Sequence, residues 1–215
     1  MLFRSREVAE RHEGVWFTAG VHPHDASRWE ADVEAALRAL VGHPRLVALG
    51  EMGLDFHYDL SPREAQRAVF RAQIRLALEV GLPIVIHDRS SEGETLRILE
   101  EEGAFAGRVL YHCYTGDRAH MRAIVANGGY VSIPGIVTFK NADETRAVAA
   151  EVPAERLLVE TDSPFLAPVP FRGKKNEPAL VRVVADAVAE LRGIAPEELA
   201  ALTTANALRF YGISG

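Results

Sequence analysis

The chain has 215 residues, 48% hydrophobic and 25% charged, which is enough apolar content for a sizeable core and argues against bulk disorder. A net charge of -6 excludes broad electrostatic coating of nucleic acid, while leaving room for a local basic site backed by metal ions. Cys113 is the only cysteine, so no intrachain disulfide can form, and no apolar run approaches the ~20 residues a membrane helix needs. A cytoplasmic protein with no membrane partner is expected.

Apolar runs alternate with amphipathic helical stretches along the whole chain. Residues Phe3 to His12 read as a helix tail stopped by Gly14. Val15 to Val21 reads as a strand running into His22-Pro23-His24, and Trp29 to Val41 as a helix with Val33, Leu37, Leu40 and Val41 on one face. Leu46 to Leu49 is a second strand, ending in Gly50-Glu51-Met52-Gly53-Leu54-Asp55. Ser61-Pro62-Arg63-Glu64 has the form of a helix start, with a serine cap and proline in the first turn, and that helix runs to Val80. Pro83 to Ile86 is a third strand leading to His87-Asp88-Arg89, followed by a helix over Glu92 to Glu101. Arg108 to Tyr111 is a fourth strand entering His112-Cys113, and a helix over Arg118 to Ala126 is closed by Asn127-Gly128. Tyr130 to Ile133 is a fifth strand, Ala142 to Ala149 a helix, and Leu157 to Val159 a sixth strand whose end carries Glu160 and Asp162. Two helices, Pro178 to Arg192 and Pro196 to Tyr211, complete the chain.

Strand-helix alternation of this kind predicts a parallel sheet, either open or closed as a (β/α)8 TIM-like barrel. The barrel reading is favoured, because the chemistry-bearing residues are spread over many strand ends and no dinucleotide-type glycine fingerprint is present. Six of eight barrel strands are recognisable, in one domain over residues 1–215, so the barrel is expected to be incomplete at its N-terminus.

Glu51, His87, His112 and Asp162 all fall at or just past predicted strand ends, and His22 sits at a fifth. Each alone reads as an ordinary core histidine, cap or ion-pair partner. The chain has only 8 histidines, however, and three at strand ends point jointly to a metal site. Two imidazoles and two carboxylates suit Zn, Mn or Mg, and a carboxylate such as Glu51 can bridge two ions. Cys113 is read as structural, because its strand neighbour His112 should face the opposite side. Arg172, Lys174 and Lys175 surround Gly173 on a loop with no counter-charge before Glu177. Metal-binding acids beside a cationic loop suit a phosphate-bearing substrate.

The motifs Gly20-Val-His-Pro-His24, Gly50-Glu-Met-Gly-Leu-Asp55, Ile86-His-Asp-Arg89, His112-Cys-Tyr-Thr-Gly116, Glu160-Thr-Asp-Ser-Pro164 and Arg172-Gly-Lys-Lys-Asn-Glu-Pro178 resemble, in order and spacing, those of the TatD family of metal-dependent deoxyribonucleases. The resemblance covers essentially the whole chain. It implies a TIM-like barrel that hydrolyses DNA phosphodiesters, often as a 3′-to-5′ exonuclease, here on single-stranded ends. It makes Glu51 a bridging and catalytic ligand, His87 and His112 ligands of one divalent metal, and Asp162 a ligand of the other and the catalytic base. His22 and Arg172 would lie near the substrate phosphates, with His24 a further candidate, and Lys174 and Lys175 would join them in substrate binding.

The family opens on a strand carrying His-x-His, which this chain lacks. Up to two metals per chain are therefore expected, with the second site impaired, and the uncovered N-terminal barrel edge is expected to favour oligomerisation. Two other readings remain open from sequence: a metal-dependent deacylase acting on aminoacyl-tRNA, and a catalytically weak, nucleic-acid-binding barrel.

Overall fold

A computed structural model describes the backbone of residues 2–214 and the side chains of residues 5–214. The chain forms two compact units, the first built from residues up to Val109 and the second from Leu110–Phe210. In both, parallel strands follow one another in chain order with helices between them.

The first unit begins with α1 (Leu2–Arg11) and β1 (Phe17–Ala19), then a 3-10 turn (Pro23–Arg28) and α2 (Ala31–Leu40). Next come β2 (Leu46–Asp55), α3 (Arg63–Val80), β3 (Ile84–Arg89) and α4 (Glu94–Glu101). β1 pairs with β2 and β2 with β3, both parallel. Leu49, Met52, Leu54, Ile84 and Ile86 are buried completely or nearly so, as expected of strands covered on both faces.

The second and third strands run further than their apolar cores suggest, so Glu51 and His87 lie within β2 and β3 rather than beyond them. The extension depends on glycine. Gly50 and Gly53 both have φ near +145°, and a Cβ at Gly53 would lie 1.9 Å from the carbonyl oxygen of His87. Only glycine permits that approach of the two backbones. Leu49 pairs with Ile84 and Met52 with Ile86, so β2 carries one extra residue across Gly50-Glu51. That bulge re-aims Glu51, leaving its side chain 40% exposed between the buried Leu49 and Met52.

Helix α3 holds this framework through two buried amides, Gln66 and Gln73, two turns apart. Val21 N–H donates to Gln73 Oε1 (2.7 Å) and Gln73 Nε2 donates to Val21 C=O (3.0 Å). Gln66 does the same for Asp55, accepting from its N–H (2.8 Å) and donating to its C=O (3.2 Å). Each glutamine thereby replaces a strand partner at the point where the chain leaves the sheet. Ser61, which the sequence marks as the cap of α3, is used differently. Its hydroxyl donates to His24 C=O (2.8 Å) and accepts from Ser27 N–H (3.1 Å), tying down the 3-10 turn after His22, while Pro62 occupies the cap position.

The outer face of α3 is an ion-pair lattice in which Arg67 meets Glu94 and Arg71 and Arg75 both meet Glu102, at 2.7–2.8 Å. These pairs lie at the solvent edge of the helix, where screening keeps their contribution small beside that of the core.

The second unit contains β4 (Val109–Tyr111), α5 (Arg118–Ala126), β5 (Tyr130–Ile133), α6 (Asp143–Glu151), β6 (Leu157–Val159), α7 (Val181–Arg192) and α8 (Pro196–Tyr211). β4, β5 and β6 pair in parallel in that order. Asn206 on α8 donates to the carbonyls of Ala154 (2.7 Å) and Leu157 (2.9 Å), fixing the entry to β6. No helix among the described residues is long and apolar enough to cross a membrane.

Replacing Gln73 by Leu leaves both backbone groups of Val21 without their buried partner. Urea denaturation should show a loss of roughly 2 kcal/mol or more, and an unchanged midpoint would refute the clamp.

Candidate metal centre

In the first unit, His22 follows β1, Glu51 projects from the bulge in β2, and His87 lies near the end of β3. Each offers a ligand atom within 4.8 Å of those of the other two. The Glu51 carboxylate and the His87 imidazole suit one divalent ion with bonds of about 2.1 Å, and His22 borders the same position. Three imidazole rings cluster here: the His22 centroid lies 4.3 Å from that of His24 and 4.4 Å from that of His87.

Their arrangement is set by Asp55, the last residue of β2, whose side chain is fully buried. Its Oδ1 accepts from the backbone N–H groups of His57 (3.1 Å) and Tyr58 (2.9 Å). Its Oδ2 accepts from His24 Nε2 (2.8 Å) and His87 Nε2 (3.0 Å). Burial alone would raise the carboxyl pKa. The Tyr58 N–H and the two imidazoles outweigh it and hold the group down to about 2, so Asp55 is an anion at any working pH.

An anionic acceptor fixes the tautomers: both rings carry their hydrogen on Nε2. His87 therefore presents the lone pair of Nδ1 for coordination, the arrangement by which a buried carboxylate orients a metal-binding histidine. His22 differs. Its Nδ1 accepts from His24 N–H (3.2 Å), which places the ring hydrogen on Nε2, 3.9 Å from Glu51 Oε2. His22 thus aims an N–H donor at the position Glu51 faces.

The second unit has a corresponding strand-end group. His112 follows β4, and its Nδ1 lies 3.3 Å from Glu160 Oε1, just past β6. The contact is close but is not a hydrogen bond, since Glu160 Oε1 is buried without a hydrogen-bond partner among the described residues. Cys113 does not lie apart from the site as strand alternation suggests. The chain leaves β4 with Cys113 at φ +45°, and Sγ lies 3.9 Å from Asp162 Oδ2. Asp162 is itself left-handed, at φ +56°, a conformation uncommon in non-glycine residues and most accessible to Asn and Asp. Its surroundings include Asn176, whose side-chain amide donates to Thr161 C=O (2.7 Å) and Phe165 C=O (2.6 Å), tying the loop after Gly173 to the Asp162 turn. The Arg172 guanidinium lies 3.8 Å from the centroid of Phe139, and Lys174 5.9 Å from that of Phe171. Among the described residues, neither cation nor Lys175 has a carboxylate within 4 Å.

The residues expected from sequence are therefore placed as follows. His22, His24, Glu51 and His87 converge in the first unit, and His112, Asp162, Arg172, Lys174 and Lys175 all lie on the strand-end loops of the second. Sequence reasoning assigned no role to Asp55, the carboxylate that accepts from two histidines. Asp55 stands inside a quoted motif; its signal was an acidic residue ending a strand of otherwise buried apolar residues.

Parallel strands carrying histidines and carboxylates at their exits, with His24 and His87 bonded to the buried Asp55, define a metal-dependent hydrolase of TIM-barrel type. The profile described as TatD related DNase matches residues 2–212, and the chain belongs to that family. It is 46% identical to an uncharacterized metal-dependent hydrolase, YabD, of Bacillus subtilis, over 99% of this chain and 84% of YabD. It is 39% identical to the 3′-5′ ssDNA/RNA exonuclease TatD of Citrobacter rodentium, over 98% of this chain and 82% of that protein. Among solved structures, YJJV, a TatD homologue from Escherichia coli, superposes with a TM-score of 0.90 at 26% identity, covering 99% of this chain and 82% of YJJV.

Replacing Asp55 by Ala removes the shared acceptor of His24 and His87. Affinity for Mn or Zn, measured by calorimetric titration, should fall about 10–100-fold; unchanged affinity would show that the histidines hold their orientation without it.

Proposed function

We propose that this chain is a metal-dependent phosphodiesterase that shortens single-stranded DNA from its 3′ end, and that Glu51, His87, His112 and Asp162 are its metal ligands. The observation that carries the reading is the His22-Glu51-His87 cluster held by Asp55. Its relatives' names supply the direction: YabD is a metal-dependent hydrolase, and the Citrobacter protein an exonuclease on single-stranded DNA and RNA.

A bound divalent ion would supply Lewis-acid chemistry, neutralising phosphate charge and acidifying water. The chain's own residues do the rest. Glu51, lifted by the β2 bulge, brings a carboxylate to the ion and the phosphate. His22 donates from Nε2 to a phosphate oxygen, the role its tautomer favours, while His24 serves chiefly to hold Asp55 and the 3-10 turn. Asp162 takes the proton of the attacking water. Arg172, Lys174 and Lys175 bind the phosphates of the strand; in Arg172 the Phe139 ring steadies the guanidinium without neutralising it. The three cations also compensate locally for a chain of net charge -6.

The test is hydrolysis of a single-stranded oligonucleotide carrying an internal label, with Mg or Mn supplied. Stepwise loss of 3′ nucleotides, abolished by chelator and by Glu51→Ala, is the expected result. Cleavage by Glu51→Ala at the wild-type rate would remove Glu51 from the site. Arg172→Ala should raise KM for the oligonucleotide roughly tenfold, one charge-assisted phosphate contact, and leave metal affinity within twofold; the opposite pattern would assign Arg172 to the metal site.

A further inference from the structure

The segment that closes Asp55 presents two large apolar side chains to solvent, Tyr58 at 55% and Leu60 at 64% exposure. A single exposed tyrosine is ordinary, but this one is built into the site. Its backbone N–H is one of the four donors that saturate Asp55 (2.9 Å), so the position of the residue is fixed by the carboxylate that orients His24 and His87. Its ring stands perpendicular to that of His24, with centroids 5.6 Å apart, and makes a second edge contact with His57 at 4.8 Å. The Arg89 guanidinium lies over the ring, 5.2 Å from its centroid.

Like Arg45, which lies over Trp16, Arg89 meets no carboxylate within 4 Å among the described residues, whereas Arg38, Arg63, Arg67, Arg71, Arg75 and Arg97 do. It ends β3 two residues after His87 and is exposed. An exposed aromatic ring beside the histidine cluster, with an uncompensated guanidinium on it, is the chemistry that receives a nucleotide: the ring takes a base and the cation takes a phosphate.

We infer that Tyr58 and Arg89 form a nucleotide subsite, in which a base of the substrate strand stacks on Tyr58 and its phosphate pairs with Arg89. The inference rests on the phosphodiesterase reading above and adds the residues that hold one nucleotide of the strand. A base can lie on Tyr58 only if it has left a duplex stack, so the subsite selects unpaired strands over paired ends without reading sequence.

The experiment uses the metal-loaded protein and single-stranded oligonucleotides in which one nucleotide at a time near the 3′ end is abasic, so that the phosphodiester chain is kept and one base is lost. At one position the missing base should raise the wild-type KM roughly tenfold, the size of one base-aromatic stack. Tyr58→Ala and Tyr58→Leu should lose that dependence, with the intact strand now as weak as the abasic one. Tyr58→Phe and Tyr58→Trp should keep it, which a merely structural role for the side chain would not require. Arg89→Ala should flatten the dependence of log KM on log salt by about 0.7, one single-strand phosphate contact.

A wild type indifferent to every missing base, or a dependence that survives in Tyr58→Ala, overturns the inference while the intact oligonucleotide is still degraded. A wild type that degrades no nucleic acid overturns the phosphodiesterase reading, and the subsite with it.

Discussion

One buried carboxylate organises the first unit of this protein. Asp55 accepts four hydrogen bonds, two from the backbone of the segment that follows it and two from histidines on separate elements. An ionised group out of water is tolerated only when its lone pairs are satisfied, and hydrogen bonds to a charged acceptor contribute roughly 1.5–3 kcal/mol each. The same bonds that make Asp55 tolerable decide which nitrogen of His24 and His87 bears hydrogen, how the 3-10 turn after His22 lies, and where Tyr58 stands. Stability and chemistry are thus drawn from a single group.

The framework around it works by close backbone approach. Gly50 and Gly53 let β2 run against β3 at distances no side chain would allow, and the extra residue between them turns Glu51 out of the core. Gln66 and Gln73 of α3 then satisfy the backbone where the sheet ends, at Asp55 and at Val21 just before His22. Functional side chains therefore sit on rigid backbone, the condition for preorganised binding of an ion or a phosphate. In the second unit the restraint is local: Asn176 and the left-handed Asp162 fix a loop instead of a strand.

Much of this is legible in the sequence, and the exceptions have physical reasons. Helix α5, strand β5 and the last helix begin and end where the capping residues and apolar runs place them. The strand order and the convergence of His22, Glu51 and His87 follow from histidines and acids recurring after apolar runs. The true length of β2 and β3 is not legible, because it depends on glycines tolerating contact with a neighbouring strand, which periodicity does not encode. Ser61 reads as a helix cap from its neighbours, but the turn at Ser27, 34 residues away, claims its hydroxyl. Asp55 escapes notice because its histidine partners are non-local. Cys113 breaks the alternation expected of it because the strand has already ended.

Membership of the TatD-related family gives a metal-dependent hydrolase; the tautomers imposed by Asp55 give the account its specific content. The most direct test is a crystal structure of the protein loaded with Mn, with the ion located by anomalous scattering. The account predicts an ion contacting Glu51 and Nδ1 of His87, with both Nε2 contacts to Asp55 retained and Nε2 of His22 turned toward the ion's outer ligand. An ion held by Nε2 of His87, with the Asp55 contact broken, or an ion bound away from Glu51, would contradict it.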